Sequence, residues 1–188
     1  MDQVIASRTA LAASLIRALH SRGDPFPLLD DTWGDRLVPE TVREGLRQHI
    51  LAGMDPDARA AALRAPGSIL DDYLRASVAY PTVVIRSRYT EDALRDAVEK
   101  GTRQYVLIGA GFDSFALRRP AFSQDVEIFE IDHPATQTLK LERIKECDIS
   151  LPRFVHFVAV DLASEGLEAA LDRSSFRRDE RHFSLGLA

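Results

Sequence analysis

Two glycines follow a short apolar run near the middle of the sequence. The segment "VLIGAGFDS" places Gly109, Ala110 and Gly111 directly after that run, with an aspartate two positions later. Glycine has no Cβ that would hold a ligand away from the backbone, and it adopts dihedral angles that other residues avoid. The pattern therefore indicates a place where a ligand approaches the main chain. Gly-x-Gly alone is a weak motif, and a tight turn that binds nothing is an equally good interpretation.

The carboxylate of Asp132 is a second candidate group. The segment "VEIFEID" ends at Asp132, about 20 residues after Gly111, a spacing at which a carboxylate can accept both hydroxyls of a ribose. Glu130 lies on the same face of an ideal strand, so the pattern leaves both acids open; Asp132, nearest the strand end, is favoured. A helix cap before Pro134 is the alternative role, and it is compatible with binding.

Asp161 and Leu162, at the end of "FVAVDL", form a third candidate group. A carboxylate beside an apolar side chain suits an adenine ring, because the acid accepts from the exocyclic amine and the apolar group packs on the flat face. An N-cap for a helix near Ser164 is the better interpretation if this pair is taken alone. The three groups together predict a ligand that contains adenosine.

The residues after the glycines distinguish between two adenosine cofactors. The NAD fingerprint needs a third glycine where Ser114 stands, and Asp113 just before it would repel a pyrophosphate. A cationic sulfonium ligand has no such conflict with Asp113. The sequence therefore favours S-adenosyl-L-methionine (SAM) over NAD.

Helices precede these groups in the chain. Apolar residues at helical spacing, such as Leu11, Leu15 and Leu19, predict helices over much of residues 1–100. A segment rich in Pro, Gly and Asp at 23–39 predicts a loop between them.

Strand-like segments alternate with short helices after Gly101, which is typical of βαβ units around a parallel sheet. The sequence thus predicts an α/β fold. A helical N-terminal region (1–100) that covers the cofactor precedes a Rossmann-like core (101–188) with its first four strands. Within the helical region, Asp55 before a proline predicts an N-cap, and Asp31, next to another aspartate, is expected to be solvated.

The composition restricts the partners and the compartment. The chain has 188 residues, of which 45% are hydrophobic, and a net charge of −5, so we expect one globular domain with no attraction to nucleic acid. Cys147 is the single cysteine, which excludes an internal disulfide. No apolar run approaches the ~20 residues of a membrane span, and the N-terminus is unlike a signal peptide. We expect a cytoplasmic protein with no membrane partner and, since no His/Cys cluster has metal-ligand spacing, no metal site.

The motifs together resemble the leucine carboxyl methyltransferase-like family of class I SAM-dependent O-methyltransferases, in its bacterial branch. The segments that carry the resemblance are "IRSRYTEDAL", "YVLIGAGFDSFALR", "VEIFEIDHPATQTLKLERI" and "VAVDL", in that order. The resemblance implies a Rossmann-like methyltransferase fold and SAM as the cofactor. It also implies methyl transfer to a carboxylate or hydroxyl of a small molecule, such as a polyketide or another secondary metabolite.

Roles for single residues also follow from the resemblance. Arg86 matches the family arginine that holds the methionine carboxylate of the cofactor; a solvated helix face, shared with Arg88, is the alternative. Asp113 and Arg118 match family positions either as ligand contacts or as a buried ion pair. No catalytic base is identified. The other matches are the cofactor loop at Gly109, Ala110 and Gly111, the ribose acid Asp132, and the adenine contacts Asp161 and Leu162.

The end of the chain is the main departure from the family. Family members continue after strand four with further strands and a segment that lines the acceptor pocket, whereas this sequence stops at Ala188. We therefore expect either a truncated gene product or an incomplete gene model. The open strand edge would favour association into a homo-oligomer. The alternatives to an active methyltransferase are an inactive remnant that keeps part of the cofactor cradle, and an NAD-binding oxidoreductase.

Overall fold

The computed structural model describes residues 8–186, and the first part of this range is helical. No helix within the described range is both long and apolar enough to cross a lipid bilayer. The helices of the first part are α1 (Arg8–Gly23), α2 (Gly34–Leu37), α3 (Glu40–Ala52), α4 (Pro56–Ala62), α5 (Ile69–Ala76) and α6 (Ala79–Glu99).

Local signals in the sequence explain where some of these helices begin. Oδ1 of Asp55 lies 3.0 and 2.9 Å from two backbone nitrogens in the first turn of α4, which confirms the predicted N-cap. The loop predicted at 23–39 is wrong in part, because α2 forms within it. A Cβ on Gly34 would lie 2.1 Å from the carbonyl oxygen of Ser14, so α2 rests directly on the backbone of α1 and needs glycine there.

The second part of the described chain forms a parallel sheet of four strands in the order β3-β2-β1-β4. The register places Ile108 at the end of β1 beside Ile131 near the end of β2. The strands are β1 (Gln104–Ile108), β2 (Glu127–Asp132), β3 (Val155–Ala159) and β4 (His182–Gly186). Between them lie α7 (Phe115–Arg118), a 3₁₀ helix (Ala121–Ser123), α8 (Pro134–Glu146) and α9 (Leu167–Asp172).

Helices cover both faces of the sheet. Leu107 of β1 packs with Leu94 of α6 and Phe115 of α7 on one face. Val106 packs in a cluster with Leu171 of α9 on the opposite face. Because β1 is buried on both faces, its sequence is a continuous apolar run rather than an alternating one. The arrangement confirms the predicted α/β, Rossmann-like fold class.

The N-terminal helices share a hydrophobic core with the sheet region. Ile16 and Leu19 of α1 are buried in a cluster that also contains Phe112, just after the two glycines, and Ile144 of α8. Full burial of such a side chain contributes about 1.5–3 kcal/mol. Helix α1 is therefore packed firmly against the end of β1 at which the glycines lie. The division of the chain near residue 100 stays a prediction.

Candidate cofactor site

The segment 109–114, called the glycine turn below, directly follows β1. In the strand order β3-β2-β1-β4, the chain passes to the other side of the sheet after β3, so β1 lies at the switch point. Gly109 has φ 71° and Gly111 has φ 52°, both in the left-handed region that favours glycine. The N–H groups of Gly109 and Ala110 donate to the carbonyl oxygen of Ile131 at 2.8 and 3.1 Å. These bonds hold the turn against the end of β2, at the edge of a parallel sheet where ligands usually bind.

The side chain of Asp132, at the end of β2, is hydrogen-bonded to the glycine turn. Its Oδ2 accepts a hydrogen bond from the N–H of Gly111, and its Oδ1 accepts one from the N–H of His133 at 2.6 Å. The residue is half-buried, so solvent still reaches it. Each carboxylate oxygen has two lone pairs, so both retain acceptor capacity for a ligand. The carboxylate thus faces the turn in an orientation that two backbone donors fix.

The first turn of α1 lies against Gly111. A Cβ built on Gly111 would lie 2.7 Å from the Cβ of Ala10 and 3.9 Å from Oδ2 of Asp132. Such a close approach is incompatible with a side chain, so packing as well as φ requires glycine at this position. Main-chain atoms, rather than a side chain, therefore face the carboxylate across the turn.

Glu130 and Asp132, which the sequence left as alternatives, have different surroundings. Glu130 is 1% exposed, and its Oε2 accepts a hydrogen bond from Nζ of Lys140 in α8 at 2.5 Å. Burial raises the pKa of Glu130, and the charge of Lys140 counteracts part of that shift. Glu130 belongs to a buried ion pair between β2 and α8, which leaves Asp132 as the strand-end acid that faces the turn.

The corner around the glycine turn is acidic. Asp113 stands before α7, where its Oδ1 accepts from the N–H of Phe115 at 2.8 Å. After burial, which is the main cause, the charges of Asp113 and Asp132 also raise the pKa of Glu130, so the three carboxylates lie near one another, and Lys140 pairs with Glu130. Asp113 and Asp132 have no ion-pair partner among the described residues, and their charges favour a cation over a pyrophosphate.

Arg118 forms ion pairs with residues other than Asp113. Its Nη2 lies 2.5 Å from Oε1 of Glu91 in α6, and its Nε lies 3.7 Å from Oδ2 of Asp31. Of the two alternatives that the sequence allowed, a structural ion pair describes Arg118. Its acidic partners are Glu91 and Asp31.

By the rise per residue, Arg86 on α6 lies about one helical turn from the level of the glycine turn. Helix α6 leads into β1 through a short connection and packs back along it through Leu94. Five strand residues rise about 17 Å, which about 11 helical residues match. Eleven residues before Lys100, at the end of α6, is Tyr89. Arg86 lies about one helical turn further. The position is compatible with a contact to a ligand at the turn.

The environments of Arg86 and Arg88 differ. Arg88 is exposed, pairs with Asp92 at 2.7 Å and donates to the carbonyl oxygen of Leu28 at 3.2 Å. Arg86 is half-buried, and its guanidinium has no hydrogen-bond or ion-pair partner within residues 8–186. A half-buried guanidinium without a partner can bind an anionic group of a ligand. The solvated helix face therefore describes Arg88 better than Arg86.

Asp161 and Leu162 lie in the turn that follows β3. Oδ1 of Asp161 accepts from the N–H of Ala163 at 3.0 Å, so the carboxylate supports this turn. The N-cap predicted for a helix near Ser164 is wrong, because the next helix, α9, begins at Leu167 with Gly166 as its N-cap. Leu162 is 46% exposed. The N–H of Val160 donates to the carbonyl oxygen of Asp132 at 2.9 Å, which places the β3 turn beside the strand-end acid. The two predicted groups thus occupy one edge of the sheet.

Asp31 is the residue that sequence reasoning misjudged. It was expected to be solvated, but it is 1% exposed and bonded to Arg17 and Ser114. Two features of the sequence point to this contact. Arg17 lies on the apolar face of α1, where a lone charge needs a partner, and Ser114 replaces the third glycine of a familiar turn.

A cavity of about 280 Å³ lies elsewhere, between α9 and the strands β1 and β4. Val106, Leu171, His182 and Ser184 are among the residues that line it, and no residue of the glycine turn borders it. The glycine turn and Asp132 therefore lie outside this cavity.

The structure is a Rossmann-like α/β fold in which the strand-end carboxylate of Asp132 faces the turn after β1. The chain belongs to the leucine carboxyl methyltransferase family, whose sequence model matches residues 10–187. This match confirms the resemblance that the motifs suggested.

Two bacterial relatives illustrate the similarity. The chain is 31% identical to "Putative S-adenosyl-L-methionine-dependent methyltransferase YktD" of Bacillus subtilis (strain 168), over 95% of this chain and 60% of the relative. It is 34% identical to a protein of Parafrankia sp. with the same description, over 92% of this chain and 50% of the relative. The chain thus spans about half to three-fifths of the length of these relatives.

Proposed function

We propose that the protein is a SAM-dependent O-methyltransferase that acts on a carboxylate or hydroxyl of a small molecule. The observation that carries this proposal is the Asp132 carboxylate, oriented onto the main chain of Gly111 in an acidic corner of a Rossmann-like sheet. Membership of the leucine carboxyl methyltransferase family supports the reaction class. The single, free cysteine, Cys147, supports action in the cytoplasm.

Different residues of the chain bind different parts of the cofactor. The turn at Gly109 and Gly111 gives main-chain contact, and Asp132 accepts the ribose hydroxyls with its remaining lone pairs. Asp161 and Leu162 contact the adenine. SAM, when bound, supplies a methyl group on a positively charged sulfur.

The amino-acid end of the cofactor carries a carboxylate and an ammonium group. The half-buried guanidinium of Arg86 has no partner within residues 8–186, so it binds the carboxylate. The acids near the glycine turn, Asp113 and Asp132, favour the net positive charge of the sulfonium and ammonium groups. NAD would place a pyrophosphate in the same corner, which these charges oppose.

The acceptor class decides whether the chain must supply a base. A carboxylate acceptor is already anionic and needs only to be held in line with the methyl group. A hydroxyl acceptor requires proton removal. His133, the histidine nearest Asp132 in the chain, has its Nδ1 3.3 Å from the N–H of Ala135 at the start of α8, where it serves as a helix cap. The proposal therefore assigns no catalytic residue.

Calorimetric titration with S-adenosylhomocysteine and, separately, with NAD tests the proposal. We expect saturable binding of S-adenosylhomocysteine and none of NAD. Binding of NAD in preference to S-adenosylhomocysteine, or of neither, would contradict it.

A non-catalytic cofactor binder is the second candidate function. The observation that favours it is His133, which lies beside Asp132 but serves as a helix cap, so no base for a hydroxyl acceptor is identified. Transfer of a labelled methyl group to a panel of small carboxylic acids and alcohols separates the two functions. Transfer supports the methyltransferase; tight S-adenosylhomocysteine binding without transfer to any member favours the binder.

A further inference from the structure

A buried polar cluster lies directly behind the glycine turn and has Asp31 at its centre. Oδ2 of Asp31 accepts from Nε of Arg17 at 2.8 Å and from Oγ of Ser114 at 2.6 Å. Nε of Arg118 lies 3.7 Å from the same oxygen. Asp31 is 1% exposed and Ser114 is fully buried, so none of these bonds competes with water. The cluster is therefore a fixed part of the structure.

The cluster joins the N-terminal helices to the glycine turn. Arg17 belongs to α1, and its Nη2 also donates to the carbonyl oxygen of Phe112 at 2.9 Å. Asp31 lies in the segment between α1 and α2. Phe112 and Ser114 are both within the glycine turn, so two of its residues are bonded to groups from the N-terminal region.

Asp31 is ionised in this cluster. Burial opposes ionisation, but the charges of Arg17 and Arg118 and the Ser114 hydroxyl outweigh it and lower the pKa of Asp31. A buried charge held in this way is costly to leave without its partners, so the geometry of the cluster resists distortion. The Ser114 hydroxyl is therefore held where Asp31 requires it.

Ser114 occupies the place of the third glycine in a dinucleotide fingerprint. A glycine there would offer no hydroxyl to Asp31. Gly109 and Gly111 adopt left-handed conformations, but glycine can also adopt many others because it has no side chain. Contacts with other parts of the chain are therefore needed to keep the turn in one shape. The hydrogen bond from Ser114 to Asp31 provides that restraint immediately after the second glycine.

We propose that Asp31 and Ser114 are positioning residues for the glycine turn. Through their hydrogen bond, the N-terminal helices fix the shape of the turn. The inference rests on the proposed function. Neither residue touches the cofactor; both act on the main chain between Gly111 and α7. Loss of their hydrogen bond weakens cofactor binding beyond any effect on global stability.

The test compares S-adenosylhomocysteine affinity, by calorimetry, in the wild type, Ser114→Ala and Ser123→Ala. Ser123 is also fully buried and donates to the carbonyl oxygen of Pro120 at 2.8 Å, away from the turn, so it is a matched control. We expect Ser114→Ala to weaken binding about tenfold or more and Ser123→Ala to leave it unchanged, with thermal unfolding recorded for both. Equal affinity of Ser114→Ala and the wild type would overturn the inference, as would equal weakening by both variants.

Two further measurements keep the inference testable if Ser114→Ala folds poorly. Ser114→Gly completes the dinucleotide fingerprint, and we expect it to lose S-adenosylhomocysteine affinity without gaining NAD binding. In the wild type, S-adenosylhomocysteine should protect amides of residues 29–33 from hydrogen exchange as well as those of 109–115. Protection confined to 109–115 would overturn the inference. Absence of binding to the wild type would instead refute the proposed function.

Discussion

The carboxylate of Asp132 accepts a hydrogen bond from the backbone N–H of Gly111, so the end of β2 is closed onto the turn that follows β1. The two residues lie on neighbouring parallel strands whose ends are in register. This contact orients the acid before any ligand binds. Preorganised groups of this kind bind without a further ordering cost.

Replacement of Asp132 by alanine should weaken S-adenosylhomocysteine binding. The variant loses the acceptor of two ribose hydroxyls, each a hydrogen bond to a charged group, so we expect a loss of about tenfold or more. Calorimetric titration measures it. Asp125→Ala, at an exposed acid before β2, is the control and should bind normally. Unchanged affinity of Asp132→Ala would refute the role of this carboxylate.

Gly111→Ala should be destabilising. The new Cβ would meet the Cβ of Ala10 at 2.7 Å, and φ 52° is unfavourable for alanine. We expect a loss of about 1–3 kcal/mol in the free energy of unfolding, measured by denaturant titration. The control is Gly166→Ala, where no atom lies within 4 Å of an added Cβ. A Gly111→Ala variant as stable as this control would show that α1 does not press on the turn.

Arg86→Met should weaken the binding of ligands that carry the amino-acid group of the cofactor and leave the binding of other ligands unchanged. If Arg86 holds the carboxylate, S-adenosylhomocysteine should bind about tenfold more weakly or worse, since a bond between two charges is lost. Methylthioadenosine, which has no carboxylate, should bind as it does to the wild type. Arg88→Met is the control, since Arg88 is exposed and paired with Asp92. Equal loss for both ligands would assign Arg86 a structural role.

The ionised Asp31 predicts a component of acid sensitivity. Its pKa is lowered in the folded protein, because Arg17, Arg118 and Ser114 outweigh the effect of burial. An acid with a lowered pKa stabilises the fold above its unfolded pKa, about 3.9, and loses that contribution as the pH falls further. Asp31→Asn should therefore show a shallower fall in unfolding free energy below about pH 4 than the wild type. Identical slopes in urea titrations at several pH values would contradict the ionised state.

The outer edge of β4 predicts self-association. We propose antiparallel pairing with a second copy centred on Ser184, because Phe183 of one copy would then lie opposite Leu185 of the other. Both side chains are half-buried on the face that carries α6 and α7. Leu185→Lys should raise the dimer dissociation constant about tenfold or more, since two symmetry-related pairs of up to ~1 kcal/mol are lost. Sedimentation analysis measures it, and a monomeric wild type at all concentrations would contradict the pairing.

Short-range patterns predicted much of the fold and of the candidate site. The apolar run before Gly109 and the acid at Asp132 are local signals, and parallel strands bring their ends together without further information. The contacts that sequence reasoning missed join distant residues. Asp31 meets Ser114 across 83 positions of the chain, and the residues next to Asp31 in the sequence do not show that the folded chain buries it.

The choice between Glu130 and Asp132 needed tertiary structure for the same reason. Both acids lie on one face of β2, and period-two alternation treats them alike. The difference is Lys140, which α8 brings over Glu130 and away from Asp132. The short helix α2 was missed because Gly34 suggests a turn, whereas its purpose is the close packing of α2 on the backbone of Ser14.

A crystal structure of the protein with S-adenosylhomocysteine would show whether Asp132 binds the ribose. We expect the ribose hydroxyls to lie about 2.5–3.0 Å from the carboxylate oxygens of Asp132, with the glycine turn alongside the ligand. A ligand bound elsewhere, such as in the cavity between α9 and β4, with Asp132 free of contact, would contradict it.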